Sequence, residues 1–277
     1  MQGTQGRNVD RGRAADSLMN QRLVYGIHPV RQLLLSRPGA VDRVYLQADL
    51  GAERRARLGD VLSETVRVER VTATELEQLT GTAKHQGVAA LAIETGPLSE
   101  GAARDLVARV ERPLVLVLDG VQDPRNFGAC LRTADAAGVH LVVVARHRNV
   151  DVTPVVSKVA AGAAETQPIV QVGNLVRFLE SIKSQNLWIV GTDDSAPTSL
   201  YDVNLTTGIA LVLGAEGEGL RHLTLERCNH RVRLPMHGTV SSLNVSVATG
   251  ICLYECLRQR SALAAAPAGL PRTRPVR

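Results

Sequence analysis

Four blocks of uninterrupted apolar residues constrain this chain more than any other feature: LVLVLD at 114–119, LVVVA at 141–145, LWIVG at 187–191 and IALVLG at 209–214. A strand with one face in water alternates polar and apolar residues, so blocks without alternation must be covered on both faces. Helix-length segments separate them, which is the pattern of a parallel sheet with helices on either side. Upstream, short extended runs (Leu23 to Tyr25, Val41 to Leu46, Val88 to Ile93) alternate with helical stretches near Pro29 to Ser36, Glu53 to Ser63 and Thr74 to Leu79, forming a smaller α/β unit. The expected organisation is a basic tail over 1–20, a small α/β domain over 21–94, a linker or bridging segment over 95–112 where Gly96, Pro97 and Gly101 interrupt the pattern, a larger α/β domain over 113–261, and a second tail over 262–277.

Composition narrows the class. With 44% apolar and 21% charged residues the chain reads as soluble and globular. No apolar run approaches the roughly 18 residues that a membrane helix requires, and residues 1–20 lack the apolar core of a secretion signal, so a cytoplasmic location without membrane partners is expected. Cys130, Cys228, Cys252 and Cys256 sit in or beside apolar segments without CxxC spacing, which fits reduced thiols and no metal site. The net charge of +5 makes a polyanion a plausible partner, although arginine-rich codon usage explains the excess equally well: only Lys84, Lys158 and Lys183 among 32 basic residues are lysines. At 3% aromatic residues, a stacking platform for bases is not the main binding mode.

Ligands of open parallel sheets gather at the carboxyl ends of the strands, which directs attention to the segments after Leu118, Leu213 and Leu234. The first, DGVQDPRNFGACLRTADAAG (119–138), has a turn at Asp123-Pro124, Asn126 near a helix start and Arg132 inside that helix. Taken alone, Asn126 reads as a cap and Arg132 as a partner of Asp135. The second, GAEGEGL (214–220), fails the spacing of phosphate-binding loops, and Glu216 and Glu218 would repel an anion. Glycines that admit a flat ligand and acids that tolerate positive charge suit S-adenosyl-L-methionine, a sulfonium without phosphate. The third, PMHGTVSSLNVSVATG (235–250), ends a strand at Pro235 and opens a helix near Leu243, with Ser241 or Ser242 as candidate caps; capping does not account for Asn244 and Ser246 as well. His85 and His237 are read as structural or solvated.

Together these three phrases resemble the signature motifs of the SpoU (TrmH-like) RNA ribose 2'-O-methyltransferases of the SPOUT superfamily, in order and at similar distances, over Pro113 to Arg260. VYGIHPVRQLL and KHQGVAA, within Leu23 to Ile93, are similar to the L30e-like substrate-binding domain of the ribosomal RNA members. The resemblance implies a C-terminal trefoil-knot domain, S-adenosyl-L-methionine as cofactor, a homodimer, and as substrate RNA, specifically a guanosine ribose in the peptidyl-transferase loop of 23S rRNA. By matched position it makes Asn126 and Arg132 catalytic, with Glu216, Ser241 and Asn244 supporting them, and assigns cofactor contact to Gly214, Leu234 and Leu243. Arg132 has two candidate roles, a base after losing its charge or a stabiliser of the developing alkoxide; the second asks less of a guanidinium. The last helix, Leu243 to about Arg260, carries Leu243, Val247, Ile251, Tyr254 and Leu257 over a broad arc that suits burial against another subunit. Rival readings are a transfer-RNA or resistance-type ribose methylase of the same family, a non-catalytic RNA-binding protein, and a nucleotide-dependent α/β enzyme.

Overall fold

The computed structural model describes residues 21–265 except 60, 63–65, 94, 95, 148, 184–186, 216 and 218. Residues 1–20 and 266–277, which hold the expected tails, lie outside the described residues. The N-terminal unit is a four-stranded sheet in the order β1-β4-β2-β3, with β1 Gln21–Tyr25, β2 Val41–Gln47, β3 Val68–Val71 and β4 Val88–Ile93. Pairs β1–β4 and β2–β4 are antiparallel and β2–β3 is parallel. Helices α1 Ile27–Ser36, α2 Ala52–Gly59 and α3 Ala73–Thr80 accompany it. Ile27, Val30, Leu33 and Leu34 recur at helical spacing, and this stripe of α1 packs on Val24, Val44 and Val88. Gln86 accepts from the Ile27 N–H at 2.9 Å, so the KHQG loop satisfies the start of α1. His85 in the same loop is buried and accepts from the Gly87 N–H at 3.0 Å, a turn-forming role; burial lowers its pKa.

The second sheet has the order β7-β6-β5-β10-β8-β11-β9, and every neighbouring pair is parallel. Its strands are β5 Leu114–Asp119, β6 Leu141–Ala145, β7 Ile169–Val172, β8 Trp188–Thr192, β9 Thr198–Ser199, β10 Ile209–Gly214 and β11 His230–Arg233. The helices are α4 Glu100–Ala108, α5 Pro124–Ala136, α6 Pro154–Val159, α7 Ala163–Thr166, α8 Leu175–Lys183, α9 His222–Arg227 and α10 Val245–Ala265. Leu114, Leu116 and Leu118 point to one face, where α5 and α10 contribute Phe127, Cys130, Leu131, Cys252, Leu253 and Cys256. Val115 and Val117 point to the other, against Ala103 and Val107 of α4 and Phe178, Leu179 and Ile182 of α8. This two-sided cover is what the unbroken apolar blocks demanded.

The bridging segment 95–112 is more ordered than a plain linker: Leu98 pairs with Val170, and α4 packs into the second core behind its Ser99 cap. At the other end of the domain, α10 extends to Ala265, past the expected boundary at 261. Arg260 on that helix donates to the carbonyls of Leu205, Arg112, Pro113 and Thr207, and Gln259 exchanges hydrogen bonds with Val203 and Leu205. The helix end thereby fastens the loops that lead into β5 and β10. All four cysteines are free; burial pushes the Cys228 and Cys256 thiols up to about 11, so they stay protonated packing groups.

The two units dock through α1 and β1 against α6 and α7. Glu165, whose side chain is fully buried, is paired with Arg22 and Arg37 of the smaller unit, and Arg22 also donates to Ser157 at 3.1 Å. Burial pushes the Glu165 carboxyl up and the two guanidinium groups pull it back. Gly162 has φ +103, and a Cβ there would lie 2.6 Å from Cβ of Gln32, so the two units approach backbone to side chain. Lys158 reaches the Lys84 carbonyl at 2.6 Å and lies over the Tyr25 ring at 5.2 Å. Removing one member of a buried ion cluster leaves the rest uncompensated, at about 3–5 kcal/mol. Glu165→Ala is therefore expected to lower the unfolding temperature and to open the junction to protease, with Glu165→Gln less damaging; a calorimetric trace of Glu165→Ala superimposable on the parent would contradict the clamp.

Candidate active site

The strand order reverses around β5: β6 and β7 lie to one side, β10 and β8 to the other. Such a reversal opens a crevice at the carboxyl ends of the two central strands. Here Asp119 and Gly214, the last residues of β5 and β10, stand in register. A cavity of about 230 Å³ opens beside them, lined by Asp119, Gly120, Val121, Gln122, Asp123, Asn126, Ala215, Gly219, Arg221 and Val245. The walls are small because the chain leaves no room for more: a Cβ on Gly214 would sit 2.1 Å from the carbonyl carbon of Gly219. Ala215 and Gly219 form an antiparallel bridge, which brings Gly219 back to the end of β10.

The first wall is the start of α5. Asp123 accepts from the N–H groups of Arg125 and Asn126, both at 2.8 Å, and Pro124 occupies the first helical turn, where its missing N–H costs nothing. The helix N-terminus that faces the cavity is thus already capped by a carboxylate and offers little to an anion. Asn149 tightens the same corner, accepting from the Val121 N–H at 2.6 Å and donating to the carbonyls of Leu118 and Ala145.

The opposite wall is the start of α10. The helix begins at Val245 and not near Leu243, and its cap is Asn244, correcting the assignment to Ser241 or Ser242, which stand exposed. Asn244 Oδ1 accepts from the Ser246 N–H at 3.0 Å and from the Ser246 hydroxyl at 2.6 Å, while Asn244 Nδ2 donates to Asn126 Oδ1 at 3.0 Å. One side chain therefore caps its own helix with its oxygen and orients Asn126 with its nitrogen. Thr249 and Cys130, 3.4 Å apart, continue the contact between α5 and α10 below the cavity.

Of the residues singled out in the sequence, Asn126 lines this cavity; Asn244 is hydrogen-bonded to it from the position before the lining residue Val245, and Gly214 immediately precedes the lining residue Ala215. Leu234 is half-buried against the core below it, Leu243 is half-buried, and Ser241 is exposed; none of these three is among the lining residues. Glu216 lies outside the described residues. Arg132 is exposed on α5, about 9 Å along the axis from Asn126, and makes no ion pair or hydrogen bond among the described residues; its expected partner Asp135 instead accepts from Thr166 at 3.0 Å. Sequence reading missed Asp119, which is 3% exposed and held by Arg221 and Thr224. The available signal was an acid closing an otherwise apolar strand.

A family model described as the SpoU rRNA Methylase family matches residues 113–254, more than half of the chain. The chain belongs to that family. A second model, RNA 2'-O ribose methyltransferase substrate binding, matches 23–95. The 23S rRNA (guanosine-2'-O-)-methyltransferase RlmB of Escherichia coli K12 is 44% identical over 240 residues, covering 86% of this chain and 99% of the relative. The protein of the same name from Vibrio vulnificus is 44% identical over 248 residues, 88% and 99%. The structure of the SpoU methyltransferase AviRb from Streptomyces viridochromogenes in complex with AdoMet matches with a TM-score of 0.74 and 25% identity, covering 93% of this chain and 95% of that one. A solved RNA 2'-O ribose methyltransferase matches with a TM-score of 0.72 and 29% identity, covering 91% and 92%. The fold class is accordingly the SpoU/TrmH α/β methyltransferase domain preceded by a smaller substrate-binding domain.

The donor set suits a sulfonium cofactor. Asp119 and Asp123 face the cavity, Arg221 is spent on Asp119, and no other cation lines the cavity among the described residues. The dual role of Asn244 separates two substitutions. Asn244→Ala loses the helix cap, at about 1 kcal/mol, and also loses the link to Asn126, whereas Asn126→Ala spares the cap. Both are expected to lose methyl transfer, but only Asn244→Ala should shift the denaturant midpoint appreciably; equal midpoints would remove the cap assignment.

Proposed function

We propose that this chain methylates the ribose 2'-oxygen of a guanosine in 23S rRNA, with S-adenosyl-L-methionine as methyl donor. The observation that carries the reading is the hydrogen bond from Asn244 to Asn126, a lining residue of an acid-tolerant cavity at the β5–β10 junction. The choice of RNA is supported by the 44% identity to relatives named for that reaction, across nearly their whole length, and by the substrate-binding model over 23–95. Bound at the cavity, the cofactor supplies an electrophilic methyl group on a positively charged sulfur.

The loop around Gly214 and the half-buried Leu234 and Leu243 hold it in this reading, the glycines by admitting it close to the backbone. Asn126, its oxygen engaged by Asn244, orients the target hydroxyl, with Glu216 and Ser241 supporting the site. Arg132 stabilises the oxygen as it becomes an alkoxide and pins the neighbouring phosphate. A guanidinium is a poor base near neutrality but a strong two-toothed partner for an anion.

A homodimer completes the site. Val247 and Tyr254 are 51% and 53% exposed, and lie one heptad apart on α10 with half-buried Ile251 between them. Gly250, on the same arc, faces Thr133 of α5, so this stripe is continuous with the α5 face that bears Ala129, Arg132 and Ala136. An apolar face next to small residues suits close docking of a second copy. Arg132 is absent from the lining of its own cavity but projects from this face, so the second copy receives it.

Three outcomes test the reading. Ribosomal RNA from a strain lacking the gene should lose one guanosine 2'-O-methyl group in 23S rRNA, regained on complementation; an unaltered methylation map would sink the assignment. Arg132→Lys should retain measurable transfer and Arg132→Ala none. Mixing Arg132→Ala with Asn126→Ala chains should restore transfer if the site is shared between copies, while Tyr254→Lys should give monomers in light scattering and abolish that restoration.

A further inference from the structure

Asp119 is the one charged group buried at the tip of the central strand. Its carboxylate takes three hydrogen bonds, from Arg221 Nε at 3.0 Å, Arg221 Nη2 at 2.6 Å and Thr224 Oγ1 at 3.0 Å. Arg221 follows directly on the loop 214–220 that folds back at the end of β10, so this pair fastens the loop's exit. Its entrance is fastened separately, by the register of Gly214 with Asp119 and by Gly120, where a Cβ would stand 3.2 Å from Cβ of Ala215. Gly120 has φ +98, a conformation that turns the chain away at once after Asp119 and leaves space for the loop. Both ends of the loop are thereby referred to Asp119, the last residue of β5, and to Gly120 directly after it. A planar guanidinium gripped by both carboxylate oxygens allows little rotation, unlike a single-point ammonium contact.

We infer that Asp119, Arg221 and Thr224 are positioning residues that hold Gly219 and Leu220, where the chain returns after β10, in place beside the cofactor cavity. Arg221 is therefore not available to the RNA phosphates, although it borders the cavity and carries one of its charges. The inference rests on the reading that the cofactor binds this cavity. It adds that Gly219 and Leu220 owe their placement to a contact 102 residues away in sequence.

Calorimetric titration of the full chain with S-adenosyl-L-methionine and with S-adenosylhomocysteine, which lacks the sulfonium charge, tests this, alongside hydrogen–deuterium exchange of the 215–220 amides without ligand. Asp119→Asn and Arg221→Met are each expected to weaken both ligands by about tenfold or more, with their ratio preserved. The same variants should speed exchange in 215–220 while leaving RNA affinity unchanged. Arg221→Lys should recover part of the affinity, and Thr224→Val, which spares the ion pair, should lie nearest the parent. Unchanged loop exchange in folded Asp119→Asn and Arg221→Met would overturn the clamp, as would a shift in the ratio of the two ligands without faster exchange, which marks a role of charge alone. A parent chain that binds neither ligand would instead overturn the cofactor reading, and the exchange rates would still decide the clamp.

Discussion

A strand covered on both faces and paired along both edges has no side left for chemistry. β5 is in that position, flanked by β6 and β10, with leucines packed to one face and valines to the other. Burial of this kind is the dominant stabilising term in a domain, and it tolerates no unpaired polar group along the strand. Polar side chains can only appear where β5 stops. Asp119, Gly120 and the capped start of α5 crowd that one end because the rest of the strand forbids them.

The same constraint explains why the site is assembled from separated segments. The loop after β10 and the start of α10 both reach the tip of β5, and each is fixed by a contact of long sequence range. Arg221 meets Asp119 and Asn244 meets Asn126, 118 residues apart. Neither contact stabilises a local element on its own. Both need the sheet to bring their partners together, and they tie the chain after β10 and the start of α10 to the end of β5.

Much of this architecture is legible in the sequence, and the limits have physical causes. The four apolar blocks gave their strands within a residue because a doubly covered strand has no ambiguity of face. β3 (VERV) and β7 (IVQV) escaped notice: the first is mostly exposed at a sheet edge, and both carry polar residues that break the apolar run. β9 is too short for any periodicity. The α10 cap was misplaced because Ser241, Ser242 and Asn244 have similar capping ability, and only Asn244 also gains a hydrogen bond to Asn126. Asn126, Arg132 and Asn244 were singled out through resemblance of whole motifs, since singly each reads as a cap or a solvated charge. Asp119 and Arg221 carry no local spacing that could connect them, so the pair becomes visible only once β5 and β10 lie side by side.

The four carbonyls gathered by Arg260 bear on the order in which the protein can mature. They belong to the loops ahead of β5 and β10, and the helix that presents Arg260 also supplies Val245 to the cavity wall. During synthesis that helix emerges after every strand of the sheet, so a nascent chain can hold an assembled core while its cavity still lacks a wall. The cavity is therefore walled on all its sides only once α10 has been made, and a chain interrupted before that helix keeps its sheet with the cavity open on one side.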